Sequence, residues 1–361
     1  MAFSSTIFLS QCFSLNKVRS SSLLPKIRHT TIHRRRSFCS DCTTAPSSMP
    51  SFDLHSYWTS LISQIQEKLD TAITVKYPER IYEAMRYSVL SDSNKCASAI
   101  MCIAACELVG GDPSFAFPTA CALEMVHAAS LIHDDLPCMD AASLRRGRPT
   151  NHAVFGVDLA ILAGDALFPL AFRHIVDHTP ASHVPPQAIL RVIHEIARTV
   201  GSTGMTAGQF LDLLPEGGEE SADPMLVLEK KFGELAECSA VCGGVLGGAG
   251  EEECEALRRY GRAVGVLYVV VDDLLMWEEK VAGSNGPSGK MRNTASVVRA
   301  MGMDRAISIV EELRQTAKNE LKSFQGCKFG DRVLPLYSFL DYAVERSFVV
   351  ERCSKANNFL G

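Results

Sequence analysis

Two acidic clusters carry the residue types from which a metal site is built. The first cluster lies in the segment SLIHDDLPCMD, which contains Asp134, Asp135 and Asp140. Adjacent carboxylates at a helix end, followed by a proline that disturbs the next turn, suit the oxygen ligands that Mg²⁺ requires. Mg²⁺ keeps several waters and is usually completed by substrate phosphates, so this cluster predicts a phosphate-bearing ligand. The alternative is an acidic helix end that basic neighbours balance.

Two arginines follow the first cluster in the segment SLRRGRPTNH. Arg145 and Arg146 come directly before a glycine, in a stretch rich in turn-forming residues. A guanidinium group binds phosphate oxygens in a bidentate manner. The arginines therefore strengthen the prediction of a phosphate ligand beside the acidic cluster.

The second acidic cluster, in the segment VVVDDLLMWEEK, is incomplete. On a helix, Asp272, Asp273 and position 276 fall within about 100° of arc, so three acids there would converge on one cation. Position 276 is a methionine, Met276, whose thioether is not a ligand for Mg²⁺. Taken alone, the cluster is a metal site that lacks one ligand, which a water or a shifted carboxylate could replace.

Two CxxxC pairs stand out among the 13 cysteines of the chain. They are Cys102 with Cys106 and Cys238 with Cys242. The i, i+4 spacing places both thiols of a pair on one helical face, where a disulfide within the pair is unfavourable. Four such thiols could bind Zn²⁺, or they could be four small side chains buried between helices.

The elements that must position these residues are helices. The segment SYWTSLISQIQEKLDTAI forms one apolar stripe through Trp58, Ile65 and Leu69, and similar stripes precede the first cluster and run through the second. Runs of alternating β-type residues are missing from the sequence. We predict one all-α domain over residues 52–361, with a flexible loop at VAGSNGPSGKMRN.

Composition separates the first residues from the rest of the chain. Of 361 residues, 47% are hydrophobic and 21% are charged, which is typical of a globular protein. Residues 1–40 contain no acid, seven Lys or Arg and nine Ser, as an organelle transit peptide does, and we predict a transit peptide and linker over 1–51. Without those seven charges the net charge changes from −5 to −12, which argues against nucleic-acid binding. No apolar stretch reaches 18 residues, so we predict no transmembrane segment.

Several segments together resemble the plant geranylgeranyl diphosphate synthase family of trans-prenyltransferases. They are LIHDDLPCMD, CIAACELVGG, LAGDALFPLAF, GMTAGQFLD and VVDDLL, and the similarity extends from about Phe52 to the C-terminus. The resemblance implies an all-α trans-prenyltransferase bundle around a central cavity. It also implies two aspartate motifs that hold Mg²⁺ on an allylic diphosphate, which then reacts with isopentenyl diphosphate.

The resemblance also assigns roles to residues by position. The implied metal ligands are Asp134, Asp135 and Asp140, with Asp272 and Asp273 as a weak remnant. The implied diphosphate-binding residues are Lys95, His127, Arg145, Arg146, Gln209 and Lys231, and Asp212 also occupies a family position.

The chain departs from the family pattern at several of its positions. Cys96 and Ser98 stand where two arginines for isopentenyl diphosphate are expected, and Phe232 replaces a threonine. Further acids expected after the first motif are absent, since that stretch reads Ala-Ala-Ser at 141–143. A lysine-containing segment after the second motif has become GSNGPSGKMR. The sequence therefore predicts weak catalysis or none by this chain alone.

The two CxxxC pairs resemble a subgroup of the family, the small subunits of heteromeric plastid synthases. The resemblance implies that Cys102, Cys106, Cys238 and Cys242 take part in binding a catalytic large subunit in the plastid stroma. The chain would then be a regulatory subunit that modulates the activity and product length of its partner. Two alternatives remain: a self-sufficient Mg²⁺-dependent short-chain prenyl diphosphate synthase, and a sensor that binds an allylic diphosphate without turnover.

Overall fold

The computed structural model describes residues 52–91, 95–214, 222–281 and 295–346, and in these ranges the chain is almost entirely helical. The helices are α1 Leu54–Ala72, α2 Glu79–Val89, α3 Ala97–Val109, α4 Pro113–Asp134, α5 Asn151–Phe155, α6 Val157–His178, α7 Pro186–Val200, α8 Met205–Leu213, α9 Pro224–Leu228, α10 Glu234–Leu246, α11 Glu251–Val281, α12 Val297–Met301, α13 Met303–Leu321 and α14 Leu334–Glu345. A π-helical turn covers Glu229–Gly233, and short 3₁₀ turns cover Lys322–Phe324 and Gly330–Val333. The strands β1 Leu144–Arg145 and β2 Arg148–Pro149 form a hairpin.

The all-α prediction is confirmed. The predicted transit peptide and most of the predicted flexible loop lie outside the described residues.

Helix α1 forms where the apolar stripe predicts it. Asp53 caps its N-terminus by accepting a hydrogen bond of 3.0 Å from the backbone N–H of Ser56. Trp58 is fully buried, stacks on Phe339 of α14 at 4.9 Å and donates its indole N–H to the carbonyl of Lys95. The stripe thereby joins the first helix to the last one and to the segment before α3.

Helix α4 runs through the middle of the bundle and ends at the first acidic cluster. It packs against α3 on one side and α6 on the other, with further contacts to α1, α2, α7 and α10. The stripe predicted from its sequence is only part of its buried surface, because Ala122, Met125 and Ala129 are buried as well. A helix that is apolar all round is typical of a core position.

Two helices have the length and apolarity of a membrane span, α4 and α6. Their best 18-residue windows are 89% buried in α4 and 39% buried in α6. Packing inside the fold accounts for the composition of α4. Packing among the described residues leaves much of α6 uncovered, so the apolar composition of its outer side has a cause other than this packing.

Candidate functional site

The end of α4 brings the three acids of the first motif together. Asp134 is the last residue of the helix, and Asp135 is its C-cap. The chain then turns back, with the N–H of Asp140 donating to the carbonyl of Asp134 at 2.9 Å, and Asp140 is buried. Burial raises the pKa of Asp134, and Lys231 and Arg145 partly offset that increase. The turn after α4 therefore gathers carboxylates beside cationic side chains.

A short β-hairpin with a two-residue loop positions the two arginines. Arg146 and Gly147 connect β1 and β2 with φ angles of 55° and 76°, as in a type I′ hairpin turn. Arg145 binds Asp135 in a bidentate ion pair, with its Nε 2.7 Å from Oδ2 and an Nη 2.5 Å from Oδ1. Burial and the neighbouring Arg145 lower the pKa of Arg146 to about 10. The hairpin thus places two guanidinium groups against the first motif.

His127 lies about two turns before the first motif on α4 and is 5% exposed. Neither ring nitrogen makes a hydrogen bond within the part of the chain that the structure describes. Burial and the nearby Arg146 and Arg145 lower its pKa to about 3. A buried imidazole without a polar partner, beside two arginines, fits a position that a polar anionic ligand completes.

The predicted residues Gln209, Asp212 and Lys231 lie together opposite the first motif. The ammonium of Lys231 is 2.7 Å from Oδ2 of Asp212 and also contacts the side-chain oxygen of Gln209. Lys231 stands in the π-helical turn before α10, a conformation that often occurs at functional sites. Its charge opposes the effect of burial, which raises the pKa of Asp134, so the lysine lies near the first motif.

The second motif on α11 has a different environment. Asp272 accepts a hydrogen bond of 2.7 Å from Arg346, the residue that follows α14. Asp273 accepts hydrogen bonds from Ser296 Oγ at 2.9 and 3.0 Å and from the N–H of Val298 at 3.0 Å. Met276 is partly buried. Both aspartates therefore bind groups of the protein itself.

The two positions where arginines were expected are buried in the interior of the fold. Cys96 is fully buried at φ 52°, and Ser98 is 2% exposed. Phe232 is 6% exposed, so it fills space in the core beside Lys231. Burial raises the pKa of Asp272, and Arg346 and the nearby Lys95, which is 6% exposed, partly offset that increase. The segment GSNGPSGKMR lies outside the described residues.

The four thiols of the CxxxC pairs are fully buried. Helix α3, which carries Cys102 and Cys106, packs directly on α10, which carries Cys238 and Cys242. Cys238 and Cys242 lie 3.7 Å apart as free thiols. Burial raises the pKa of the Cys102 thiol, and the neighbouring cysteines raise it further. This thiol therefore stays protonated. In this structure none of the four sulfurs is on a surface that a partner could touch, and their role in partner binding stays a prediction.

Metal ligation fits the first motif better than the second. Within the described ranges no group of three or more His, Cys, Asp or Glu side chains is placed to hold a metal ion, and this includes the zinc site considered for the cysteines. Mg²⁺ takes one or two carboxylates and completes its shell with waters and phosphates, so Asp134 and Asp140 with a bound diphosphate suit it. At the second motif both carboxylates have protein partners, as Asp135 of the first motif has in Arg145, and Met276 supplies sulfur in place of oxygen at the third position.

Arg346 and Ser296 are residues that sequence reasoning missed. Arg346 is 74 positions after Asp272, and Ser296 is 23 positions after Asp273. Neither belongs to a motif, so only the packing of α14 and α12 on α11 shows that they meet the second motif.

Known proteins share both this sequence and this fold. The family model described as polyprenyl synthetase matches residues 78–321. The chain is 58% identical over 313 residues to the Arabidopsis thaliana heterodimeric geranylgeranyl pyrophosphate synthase small subunit, chloroplastic, covering 86% of this chain and 89% of that protein. It is 40% identical to the large subunit 1 of the same organism, covering 82% and 80%. The crystal structure of an FPP/GFPP synthase from Zymomonas mobilis superimposes with a TM-score of 0.70 at 28% identity, covering 81% of this chain and 99% of that one. The trans-prenyltransferase bundle expected from the sequence is confirmed, and the chain belongs to the polyprenyl synthetase family.

Proposed function

We propose that the chain is a regulatory, largely non-catalytic subunit of a heteromeric plastid geranylgeranyl diphosphate synthase. The observation that carries this proposal is the second motif, in which Asp272 and Asp273 bind protein groups and Met276 replaces an acid. Sequence identity supports the same proposal, since the chain is 58% identical to a small subunit and 40% identical to a large subunit. The partner is then a catalytic large subunit, whose activity and product length this chain modulates.

Loss of cationic contacts supports weak catalysis. Cys96 and Ser98 are buried and uncharged where two guanidinium groups are expected. A hydrogen bond to a charged group contributes roughly 1.5–3 kcal/mol, so each lost contact weakens isopentenyl diphosphate binding by about 10- to 10²-fold. Several such losses around one site leave little turnover.

The first motif supports a role for an allylic diphosphate in this subunit. Members of the family generally use Mg²⁺, and we propose that Asp134, Asp135 and Asp140 hold it here. The proposed diphosphate-binding residues remain Lys95, His127, Arg145, Arg146, Gln209 and Lys231. When bound, the metal would neutralise charge on the diphosphate. Arg145 must then share its guanidinium between Asp135 and the ligand.

The outer side of α6 is the surface proposed for the large subunit. Its large apolar side chains are unusually exposed, with Val157 at 42%, Ile161 at 40%, Leu162 at 52% and Val176 at 57%. Val154, in the adjoining α5, is 46% exposed. Five exposed large apolar side chains on two adjoining helices support an interaction site here.

Lipid is a poor occupant for this surface. Asp158, Asp165 and Arg173 lie on the same outer side of α6. Charged side chains in a membrane interior are costly and normally face protein or water. A protein partner can instead pair these charges at the rim of an apolar contact.

The two Arabidopsis thaliana relatives named above are chloroplastic proteins. We propose the plastid stroma as the location of this chain, with residues 1–51 as transit peptide and linker and one domain over 52–361. The acid-free composition of residues 1–40 supports this proposal.

An assay of residues 52–361 with Mg²⁺, isopentenyl diphosphate and dimethylallyl diphosphate tests the function. The chain is assayed alone and mixed with a plastid large subunit, and rate, product length and complex mass are measured. We expect little turnover alone, a stable complex, and a changed rate or product distribution for the partner. Substantial turnover alone favours the second candidate, a self-sufficient synthase, which the intact first motif supports. No complex and no change in the partner's products would refute the regulatory role.

A further inference from the structure

Arg346 places a positive charge inside the second aspartate motif. It follows α14 in the left-handed conformation, at φ 48°, and its side chain is 13% exposed. One Nη donates to Asp272 Oδ1 at 2.7 Å and to the carbonyl of Tyr268 at 2.8 Å, and the other donates to the carbonyl of Ala343 at 2.6 Å. The guanidinium also lies 3.5 Å from the centre of the Tyr268 ring. Four separate contacts fix this side chain.

Asp273 is held by a different kind of contact. Its carboxylate accepts from the hydroxyl of Ser296 and from the N–H of Val298 at the start of α12. Ser296 in turn caps α12 by accepting from the N–H of Arg299 at 3.1 Å. The carboxylate therefore stabilises a helix N-terminus, where negative charge is favourable.

A divalent metal at this motif would have to displace these groups. Removal of Asp272 from Arg346 would leave a buried guanidinium without its counter-ion, and breaking a buried pair in this way is strongly destabilising. The third position offers no compensation, because Met276 is a thioether and Mg²⁺ requires oxygen ligands. The donor set of the second motif therefore does not fit the metal that the family uses.

We propose that Arg346 is the resident cation of the second aspartate motif. It replaces the divalent metal, ties α14 to α11, and limits metal and diphosphate binding to the first motif. This role rests on the proposed function, because a non-catalytic subunit does not need a second metal position.

Mn²⁺ binding to residues 52–361 tests the proposal without a partner subunit or turnover. Bound Mn²⁺ is counted by electron paramagnetic resonance with inorganic pyrophosphate as the probe ligand. We expect the same Mn²⁺ uptake for the unmodified chain and for Asp272→Asn, and loss of uptake for Asp134→Asn combined with Asp135→Asn. Arg346→Met combined with Met276→Asp should take up additional Mn²⁺. A fall in uptake with Asp272→Asn as large as that with the first-motif variant would overturn the proposal.

Thermal unfolding supplies a second readout with a matched control. Arg346→Met and Asp272→Asn should each lower Tm by roughly 5 °C, and the double variant should lower it by much less than the sum. Arg314 pairs with Asp341 at 3.1 Å in a more exposed setting, with side chains 21% and 50% exposed, so Arg314→Met should change Tm by only about 1 °C. An unchanged Tm for Arg346→Met would contradict the proposal.

These results are separable from the proposed function. If Arg346 behaves as expected but no complex with a large subunit forms, only the regulatory role fails. If a complex forms while Asp272→Asn lowers Mn²⁺ uptake, only the role of Arg346 fails.

Discussion

The chain has two apolar helix surfaces, one between α3 and α10 inside the fold and one on the outer side of α6. Both come from helices of high apolar content, and the resemblance to the small-subunit subgroup implies that the inner one, with its two CxxxC pairs, binds a partner. The structure covers the inner surface completely and leaves the outer surface exposed.

Side-chain size explains the difference. Between α3 and α10 the residues are small, and a Cβ added at Gly243 would lie 2.0 Å from the carbonyl oxygen of Cys102. Further along, a Cβ at Gly247 would lie 2.7 Å from the carbonyl oxygen of Cys106. The two backbones therefore touch and exclude any third element. On α6 the apolar side chains at the surface are large and 40–57% exposed, so a partner can still cover them.

The largest effect is expected from Gly243→Ala, which tests whether the inner surface is closed. The added methyl group would meet the backbone of Cys102, which cannot move without separating α3 from α10. We expect the free energy of unfolding to fall by about 4 kcal/mol, as measured by urea denaturation of residues 52–361.

Gly250→Ala is the matched control for this substitution. The nearest atom to a Cβ there is a carboxylate oxygen of Glu253 at 3.9 Å, so the stability should hardly change. Equal effects at both glycines would mean that α3 and α10 are not in backbone contact.

A smaller loss is expected from Cys102→Ser combined with Cys238→Ser. Each change puts a hydroxyl where the native thiol is fully buried, and the pair should cost about 3 kcal/mol of stability. Binding of a large subunit, measured well below Tm, should weaken only in proportion to the fraction of chains that is unfolded. Cys138→Ser, at an exposed cysteine, is the control. A loss of binding at unchanged stability would show that the thiols act at the partner surface.

Ile161→Asp tests the outer surface. Ile161 is 40% exposed in the free chain, so a charge there should leave its Tm almost unchanged. In the complex the same carboxylate would be buried against apolar groups, and we expect the Kd for the large subunit to rise by about 30-fold, or 2 kcal/mol. Differential scanning calorimetry measures the Tm of the free chain, and titration calorimetry measures the Kd for the large subunit.

Met301→Asp is the control for Ile161→Asp, because Met301 is also 40% exposed but lies on α12, which packs on α11 and α13. Its substitution should leave assembly intact. If Met301→Asp weakens the complex and Ile161→Asp does not, the partner binds on the other side of the molecule.

Sequence patterns predicted the helical class and the content of the first motif, because both depend on residues that are close along the chain. Asp134 and Asp140 are joined by one turn, and Arg145 reaches Asp135 from the adjoining hairpin. The patterns could not predict what binds Asp272, since Arg346 arrives from a helix that is far away in sequence. They also could not show that the two helices carrying the CxxxC pairs pack on each other and bury the thiols, because burial depends on which helices pack together.

The smallest effect is expected from His127→Gln, which probes the helix between the two surfaces, since α4 packs on α3 and on α6. The pKa of His127 in the folded chain is about 3, against an ordinary value of 6.5 for histidine, because the imidazole is buried. Between these pH values the unfolded chain binds a proton that the folded chain does not, so this histidine makes stability fall as pH decreases below about 6.5. At pH 5.5 the loss should be about 1 kcal/mol relative to pH 8, and His127→Gln should remove it. Urea denaturation at the two pH values measures the difference, with His194→Gln at the exposed surface of α7 as the control. If His127→Gln and the unmodified chain lose stability equally, water reaches the imidazole, and the interior between the two surfaces is not sealed.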